Sequence, residues 1–217
     1  QEIEIPDNES YFDLPYALFA SEEEVQLFCC QADVKGIVYG NETFRFQGST
    51  LNLLGTAYSA GKLQIAGGDL HIAEKIENAS QIELPNYMTD ILDNMKQNTG
   101  IEEIAEYNMA NVTNPTICKT TTKAWCNRVN IFADLVSNGD ISFNANVMTL
   151  GYKDPVVIAS ENGDITIQAT NVNGNGLIYA PNGTVTINVC DFDYKGSIIA
   201  KKINIQATYY QHKIEDK

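Results

Sequence analysis

The feature that most constrains the fold is a repeat near the end of the chain. Three segments align in their apolar positions and corners: Val157–Ile167, Leu177–Ile187 and Ser197–Ile205. Asn162-Gly163 recurs as Asn182-Gly183, and the third segment is two residues shorter at that corner. Short β-rich runs that repeat about every twenty residues between Gly or Asn corners are typical of a β-solenoid. The repeat therefore predicts an all-β fold of stacked turns.

The same pattern begins near Ala17 with a slightly shorter period. Apolar pairs recur in step as Val25/Leu27, Phe44/Phe46 and Leu63/Ile65. Because side chains alternate along a strand, one set should point into the coil, with Phe44 over Leu63 and Phe46 over Ile65. Glycines fall where the chain must turn between runs, and the predicted corners are Gly36, Gly55, Gly163 and Gly183.

A helical segment interrupts the repeat. Five residues share one side of a helix that Pro85-Asn86 would start and Gly100 would end: Tyr87, Met88, Ile91, Leu92 and Met95. We expect this helix to pack on an outer face of the coil, with a partner-binding helix as the alternative. A second short helical run is expected from Ile101, and an excursion from the coil between Asn111 and Asn130.

These patterns predict a single-stranded parallel β-helix with three short strands per turn, about seven turns and a right-handed coil. Two separate domains are the alternative, but one continuous coil would expose fewer apolar ends. The expected parts are a cap or arm (1–16), one solenoid domain (17–206) and a charged tail that ends the stacking (207–217). Within the domain, turns at 17–76 and 132–206 would flank a helical and loop insert at 77–131.

Charge and hydropathy restrict the partners. The chain has 28 acidic and 14 basic residues, a formal net charge of −14. That balance repels nucleic acid and anionic lipid, and no apolar run is long enough to span a bilayer. We expect an extracellular or cell-surface protein whose signal segment has been removed or lies outside this sequence; a cytosolic protein is the alternative.

The cysteines and polar residues do not form a recognisable catalytic or metal-binding motif. The five cysteines lack CxxC spacing, so we expect no metal site, although Cys118 and Cys126 could close a loop as a disulfide. We expect no cofactor, because no phosphate-binding glycine loop is present. The remaining candidates are carboxylates and histidines at repeat or tail positions: Asp140, Asp164, Asp191, Asp193, His71 and His212. Asp140 and Asp164 fit ordinary turn chemistry, and His71 should face solvent.

Four further residues are candidate ligand contacts. Tyr39, Tyr58 and Tyr179 hold related positions just after a strand, where a ring can stack on a sugar or cover a corner. Arg45 lies between two inward phenylalanines and should therefore point outward. Packing is the alternative role for the tyrosines.

The segments Leu177–Ile187, Gly196–Ala200, Pro15–Phe19 and Val34–Tyr39 resemble β-helical, adhesin-like modules of large secreted and cell-surface bacterial proteins. Such modules carry a Leu-Pro helix between two blocks of turns, which Leu84-Pro85 matches, whereas five cysteines depart from their pattern. The resemblance covers most of residues 15–206. It implies a non-enzymatic module for adhesion, spacing or display, whose partners would be neighbouring modules of the same polypeptide, a host or cell-surface protein, or a glycan. The alternative is a carbohydrate-binding or polysaccharide-active β-helix. A groove lined by Asp, Arg or Tyr side chains would favour the alternative.

Overall fold

The computed structural model describes residues 11–97, 101–105, 107–108 and 110–214, which form an all-β protein with one short helix. The helix α1 spans Met88–Gln97. The strands are β1 (Tyr16–Ala20), β2 (Val25–Lys35), β3 (Ile37–Gly40), β4 (Phe44–Ser59), β5 (Leu63–Ala66), β6 (Asp69–Ile76), β7 (Glu102–Ile104), β8 (Tyr107–Asn108), β9 (Asn111–Val112), β10 (Thr116–Cys118), β11 (Thr122–Ile131), β12 (Leu135–Ser137), β13 (Ile141–Leu150), β14 (Val156–Ser160) and β15 (Ile165–Lys213).

All fifteen strands belong to one sheet, and their recorded pairings are parallel. A straight strand as long as the 49-residue β15 would extend about 160 Å. Instead, β15 bends and pairs in turn with β13, β14, β1 and β2. Strands β1, β3, β4, β2 and β15 thereby close a ring of pairings.

The pairings form three ladders, which we name A, B and C. Ladder A contains β1, β3, β7, β10, β12, β14, residues 57–59 of β4, and residues 176–180 and 196–200 of β15. Ladder B contains β5, β8, residues 25–29, 44–47, 122–126 and 141–145, and residues 165–169 and 203–207 of β15. Ladder C contains β9, residues 31–35, 50–53, 69–72, 128–131 and 147–150, and residues 171–174, 191–194 and 209–213 of β15.

Ladders B and C bury one side of each strand. Along β2 and β13 buried residues alternate with more exposed ones, because successive side chains point to opposite sides. The inward residues form the main apolar core. The predicted stacking is confirmed: Phe44 pairs with Leu63, and Phe46 with Ile65.

Ladder A is buried on both sides. All five residues of β1 and all five of β14 are buried. Its outer side meets α1, through Met88, Ile91 and Met95, in a second apolar cluster that also includes Tyr11 and Leu14. The predicted helix and its packing on an outer face are confirmed. The expected N-terminal cap or arm otherwise lies in residues outside the described part of the chain, as does Gly100.

The strand order does not follow the chain. One end of the sheet is formed by β5 and β6, which pair only with β4, and the other end by β7. In between, β1 and β2 from the first block pair with the end of β15. We call this contact the join. The strands β6 and β7 are therefore consecutive in the chain but lie at opposite ends of the sheet. The first and last described strands, β1 and β15, pair with each other near the middle of the sheet.

Two predicted segments differ from the structure. Residues 102–131 were expected to belong to a helical and loop insert. They instead contribute β7 to β11 to the ladders, so the paired region extends beyond the two predicted blocks of turns. The second helical run is wrong, because β7 starts at Glu102. Inward positions of β11 are held by Thr122, Ala124 and Cys126, and small residues weaken the apolar alternation that marks a strand.

The expected C-terminal tail is also wrong. Residues 209–213 pair in register with 31–35 of β2, and Tyr210 and His212 are buried. The charged outward residue of this segment, Lys213, does not end the sheet, because the first block covers that edge. The repeat therefore continues almost to the last described residue.

Candidate functional site

A concave surface lies on the outer side of ladder C, and we call it the ladder C groove. Its volume is about 470 Å³, within the range of ordinary ligand sites. It is lined by Val147, Met148, Thr149, Asn171, Val172, Asn173, Asp191, Phe192, Asp193, Tyr209 and Gln211.

Strand alternation positions the polar side chains of the groove. Asp191 and Asp193 are exposed, whereas Phe192 between them points inward and is 1% exposed. Its ring stacks on Tyr210 with centroids 5.1 Å apart and an interplanar angle of 4°. Side chains two residues apart on one side of a strand are separated by roughly 7 Å. The two carboxylates thus stand side by side on the outer side of the strand, while the stacked rings lie on its inward side.

Both carboxylates are held by asparagines of the preceding repeat. The Nδ2 of Asn173 donates to Oδ2 of Asp193 at 3.4 Å. In the amide orientation that satisfies its hydrogen bonds, Nδ2 of Asn171 donates to Oδ2 of Asp191 at 2.9 Å. These bonds use one oxygen of each carboxylate and restrict both side chains.

The groove continues across the join. Tyr209 is 54% exposed and flanks the carboxylates. A second depression of about 200 Å³ shares Asp193 and Gln211 with the groove. Its other lining residues come from both blocks: Asp33, Val34, Lys35, Asn52, Leu54, His212 and Lys213. Together the two depressions form a track along ladder C.

The other predicted carboxylates have a structural role. Oδ1 of Asp140 accepts a hydrogen bond from the Asp164 amide at 2.9 Å, and Oδ1 of Asp164 accepts one from the Thr184 amide at 2.7 Å. Each carboxylate therefore satisfies the backbone of the next repeat at a corner, in agreement with the turn interpretation. The four predicted corner glycines, Gly36, Gly55, Gly163 and Gly183, lie between ladder segments.

The candidate tyrosines lie away from the groove. Tyr39, Tyr58 and Tyr179 are buried on the outer side of ladder A, in the apolar cluster that residues 79–95 also join. Tyr39 donates a hydrogen bond to the Ser80 carbonyl, and burial raises the pKa of Tyr179 to about 12. Arg45 projects from ladder B and forms an ion pair with Glu24 at 3.6 Å. The structure gives the tyrosines packing contacts.

The two histidines have opposite environments. His71 is exposed, as expected, and its Nε2 is 3.0 Å from an oxygen of Asp69. His212 was placed in a tail, but it lies inside the sheet among Phe192, Tyr194 and Tyr210. Its Nε2 is 2.9 Å from the Gly196 carbonyl oxygen, which can only accept, so Nδ1 accepts from the Tyr210 hydroxyl at 2.6 Å. Burial lowers the pKa of His212 to about 4.

The possible disulfide between Cys118 and Cys126 is not formed, and both residues are free thiols. The Cys118 thiol donates to the Thr121 carbonyl at 3.1 Å, and the Cys126 thiol to the Arg128 carbonyl at 3.0 Å. In the part of the chain that the structure describes, no group of three or more His, Cys, Asp or Glu residues could hold a metal ion. No helix among those residues is long and apolar enough to cross a membrane.

Comparisons with protein-family models, curated proteins and solved structures found no match to this chain. The groove itself is therefore the basis for any functional assignment. Asp191 and Asp193 could be picked out from the sequence, whereas Asn171, Asn173, Tyr209 and Gln211 were missed. Continuing the repeat past residue 206 would have placed Tyr209 and Gln211 outward on the same ladder.

Proposed function

We propose that this protein is a β-solenoid that binds carbohydrate through the ladder C groove. The observation that carries the proposal is the convergence of Asp191, Asp193, Asn171, Asn173 and Tyr209 in one concave surface. Restricted carboxylates and amides can bond to sugar hydroxyls, and an exposed aromatic ring offers an apolar surface to a sugar ring.

The solenoid part of the proposal rests on the pairing intervals. Bonded side chains in adjacent repeats are 19, 20 or 24 residues apart, as in Asn52/Asp33, Asn173/Asp193 and Asn144/Gln168. Parallel pairing at such intervals is what a coil with one full turn per repeat requires. Ladders A, B and C would then be its three faces.

The proposed role is binding without catalysis. Asp191 and Asp193 lie on one strand and point to the same side. Glycosidases instead place two carboxylates on either side of the bond that they cleave. A pair of carboxylates that contacts a ligand from one side suits recognition, so the proposed role is that of an adhesive module. An elongated coil would also provide spacing or display.

We also propose that the protein acts outside a bacterial cell or at its surface. The support is the resemblance of its repeats to adhesin-like modules and its net charge of −14. A sugar ligand is consistent with that setting, since cell envelopes and host surfaces present glycans.

A glycan array with purified protein tests the proposal, followed by titration of the best ligand. We expect saturable binding, and Tyr209→Ala should weaken it about tenfold or more through the lost stacking contact. Trp125→Ala is the matched control, because Trp125 is 77% exposed on ladder B and lies outside the groove. Absence of saturable binding, or equal affinity for Tyr209→Ala and wild type, would contradict the proposal.

A further inference from the structure

We infer that the ladder C groove selects sugars that carry amino groups over sugars that carry acidic groups. This inference rests on the proposed function, because it specifies the ligand class of the same groove. It follows from the donors and acceptors that the groove presents.

The first step concerns hydrogen bonding. Asn171 donates a hydrogen bond to one oxygen of Asp191, and Asn173 donates one to an oxygen of Asp193. Among the described residues, no other side chain donates a hydrogen bond to either carboxylate. An ionised carboxylate only accepts hydrogen bonds. The ligand must therefore bring donors to these positions, and a protonated amine brings up to three together with a positive charge.

The second step concerns charge. Among the described residues, the groove lining includes two aspartates and no lysine or arginine, whereas Lys35 and Lys213 line the adjoining depression. The formal net charge of the chain is −14, so the long-range field of the protein also disfavours a polyanion. A uronate or sulfate group in the groove would meet carboxylates without a cation in the lining to compensate it.

The third step concerns the aromatic side chain. Tyr209, 54% exposed, lies in the same groove as the two carboxylates. An ammonium group beside the face of a tyrosine ring gains a further attraction from the ring quadrupole. An amino sugar can thus hydrogen-bond to the carboxylates and contact the tyrosine ring at the same time. A calcium ion is a poorer fit, because it needs more oxygen ligands than two carboxylates provide.

The test compares hexasaccharides that differ in charge: a glucosamine hexamer, its N-acetylated form, a neutral glucose hexamer and a galacturonate hexamer. Affinities are measured by calorimetry at mildly acidic pH and low salt. We expect the glucosamine hexamer to bind at least about tenfold more tightly than the galacturonate hexamer, and the difference to shrink at high salt. The neutral hexamers should lie between them.

The double variant Asp191→Asn/Asp193→Asn removes the charges but keeps the side-chain shapes. Its overall affinity for the hexamers can fall with the lost carboxylates, but its preference for the glucosamine hexamer over the galacturonate hexamer should shrink to within about twofold. The control, Asp69→Asn/Glu74→Gln, removes the same net charge from exposed positions on β6 outside the groove and should keep the wild-type preference.

The outcomes separate the two proposals. If neutral hexamers bind but galacturonate binds as tightly as glucosamine, the selectivity is contradicted and carbohydrate binding stands. The same holds if the Asp191/Asp193 variant keeps the full preference. If none of the four hexamers binds, the proposed function fails together with this inference.

Discussion

Gly176 connects ladder C to ladder A in a conformation that other residues rarely adopt. Its φ is +137°, and a Cβ there would lie 1.9 Å from the carbonyl oxygen of Val156 in the neighbouring repeat. A side chain would therefore force two paired strands apart. We predict that Gly176→Ala lowers the free energy of unfolding by about 2 to 4 kcal/mol.

Urea unfolding of the purified variant measures this effect. Gly68→Ala is the control, because a Cβ at Gly68 would approach only the Ser49 carbonyl, at 3.3 Å, and Gly68 is exposed. We expect it to stay within about 0.5 kcal/mol of wild type. Equal stability of Gly176→Ala and Gly68→Ala would show that the repeats do not approach as closely as described.

His212 makes the join sensitive to acid. Burial lowers its folded-state pKa to about 4 from an ordinary 6.5, so the unfolded chain takes up the proton first as the pH falls. The stability that depends on neutral His212 is fully present above pH 6.5 and is lost as the pH falls towards 4. The loss amounts to roughly 3 kcal/mol over that range.

Chemical unfolding of wild type and His212→Gln at several pH values isolates this contribution from that of the carboxylates. The difference between the two proteins should narrow as the pH falls, because glutamine does not titrate. His71→Gln serves as the control, since it makes the same substitution at an exposed position, and its free energy of unfolding at neutral pH should stay within about 0.5 kcal/mol of wild type. A constant difference between wild type and His212→Gln would rule out buried His212 as the acid-sensitive group.

At the scale of elements, the end of β15 decides how the two blocks meet. Residues 209–213 pair with 31–35 of β2 and bring Tyr210 and His212 into the core. Hydrogen exchange monitored by mass spectrometry should therefore find residues 209–213 protected, comparably to the paired residues 147–150 of β13. The loop 152–154 is the internal reference for rapid exchange. If residues 209–213 exchanged as rapidly as that loop, the result would contradict their pairing with β2 and support the predicted C-terminal tail.

The elements differ in how far the sequence specifies them. The helix α1 was predictable because its apolar residues recur at helical spacing, and the strands near residues 25, 44 and 165 because inward positions hold large apolar side chains. In β11 the inward Thr122 and Ala124 are small, so alternation is faint there. Tyr210 and His212 are buried polar rings that pattern analysis assigns to a surface.

The order of the repeats could not be predicted for a different reason. Equivalent repeats share the same inward pattern, so local sequence does not determine which two ends stack. The join is determined by particular contacts, such as the Ser197 hydroxyl, which donates to the Tyr16 carbonyl at 2.7 Å. The second depression was missed as a consequence, because its lining residues come from both blocks.

At the scale of the whole molecule, the proposed binding surface lies next to the join. The track on ladder C runs from Thr149 to Asn52 and crosses from the second block to the first at Gln211. Adjacent repeats are roughly 4.8 Å apart, so a ligand along the track would contact several repeats. The groove itself is lined by residues 147–211, and a ligand longer than the groove would reach residues of the first block across the join.

The central claim is that carbohydrate binds in the ladder C groove. Nuclear magnetic resonance of the side-chain amides tests it most directly, because each Asn and Gln NH2 group reports on its own surroundings. During titration with the glucosamine hexamer, the signals of Asn171, Asn173 and Gln211 should shift together and saturate at one affinity. The side-chain amide signals of Asn144 and Gln168, which are exposed on ladder B, should not shift. Shifts confined to Asn144 and Gln168, or no shifts at all, would contradict carbohydrate binding in the ladder C groove.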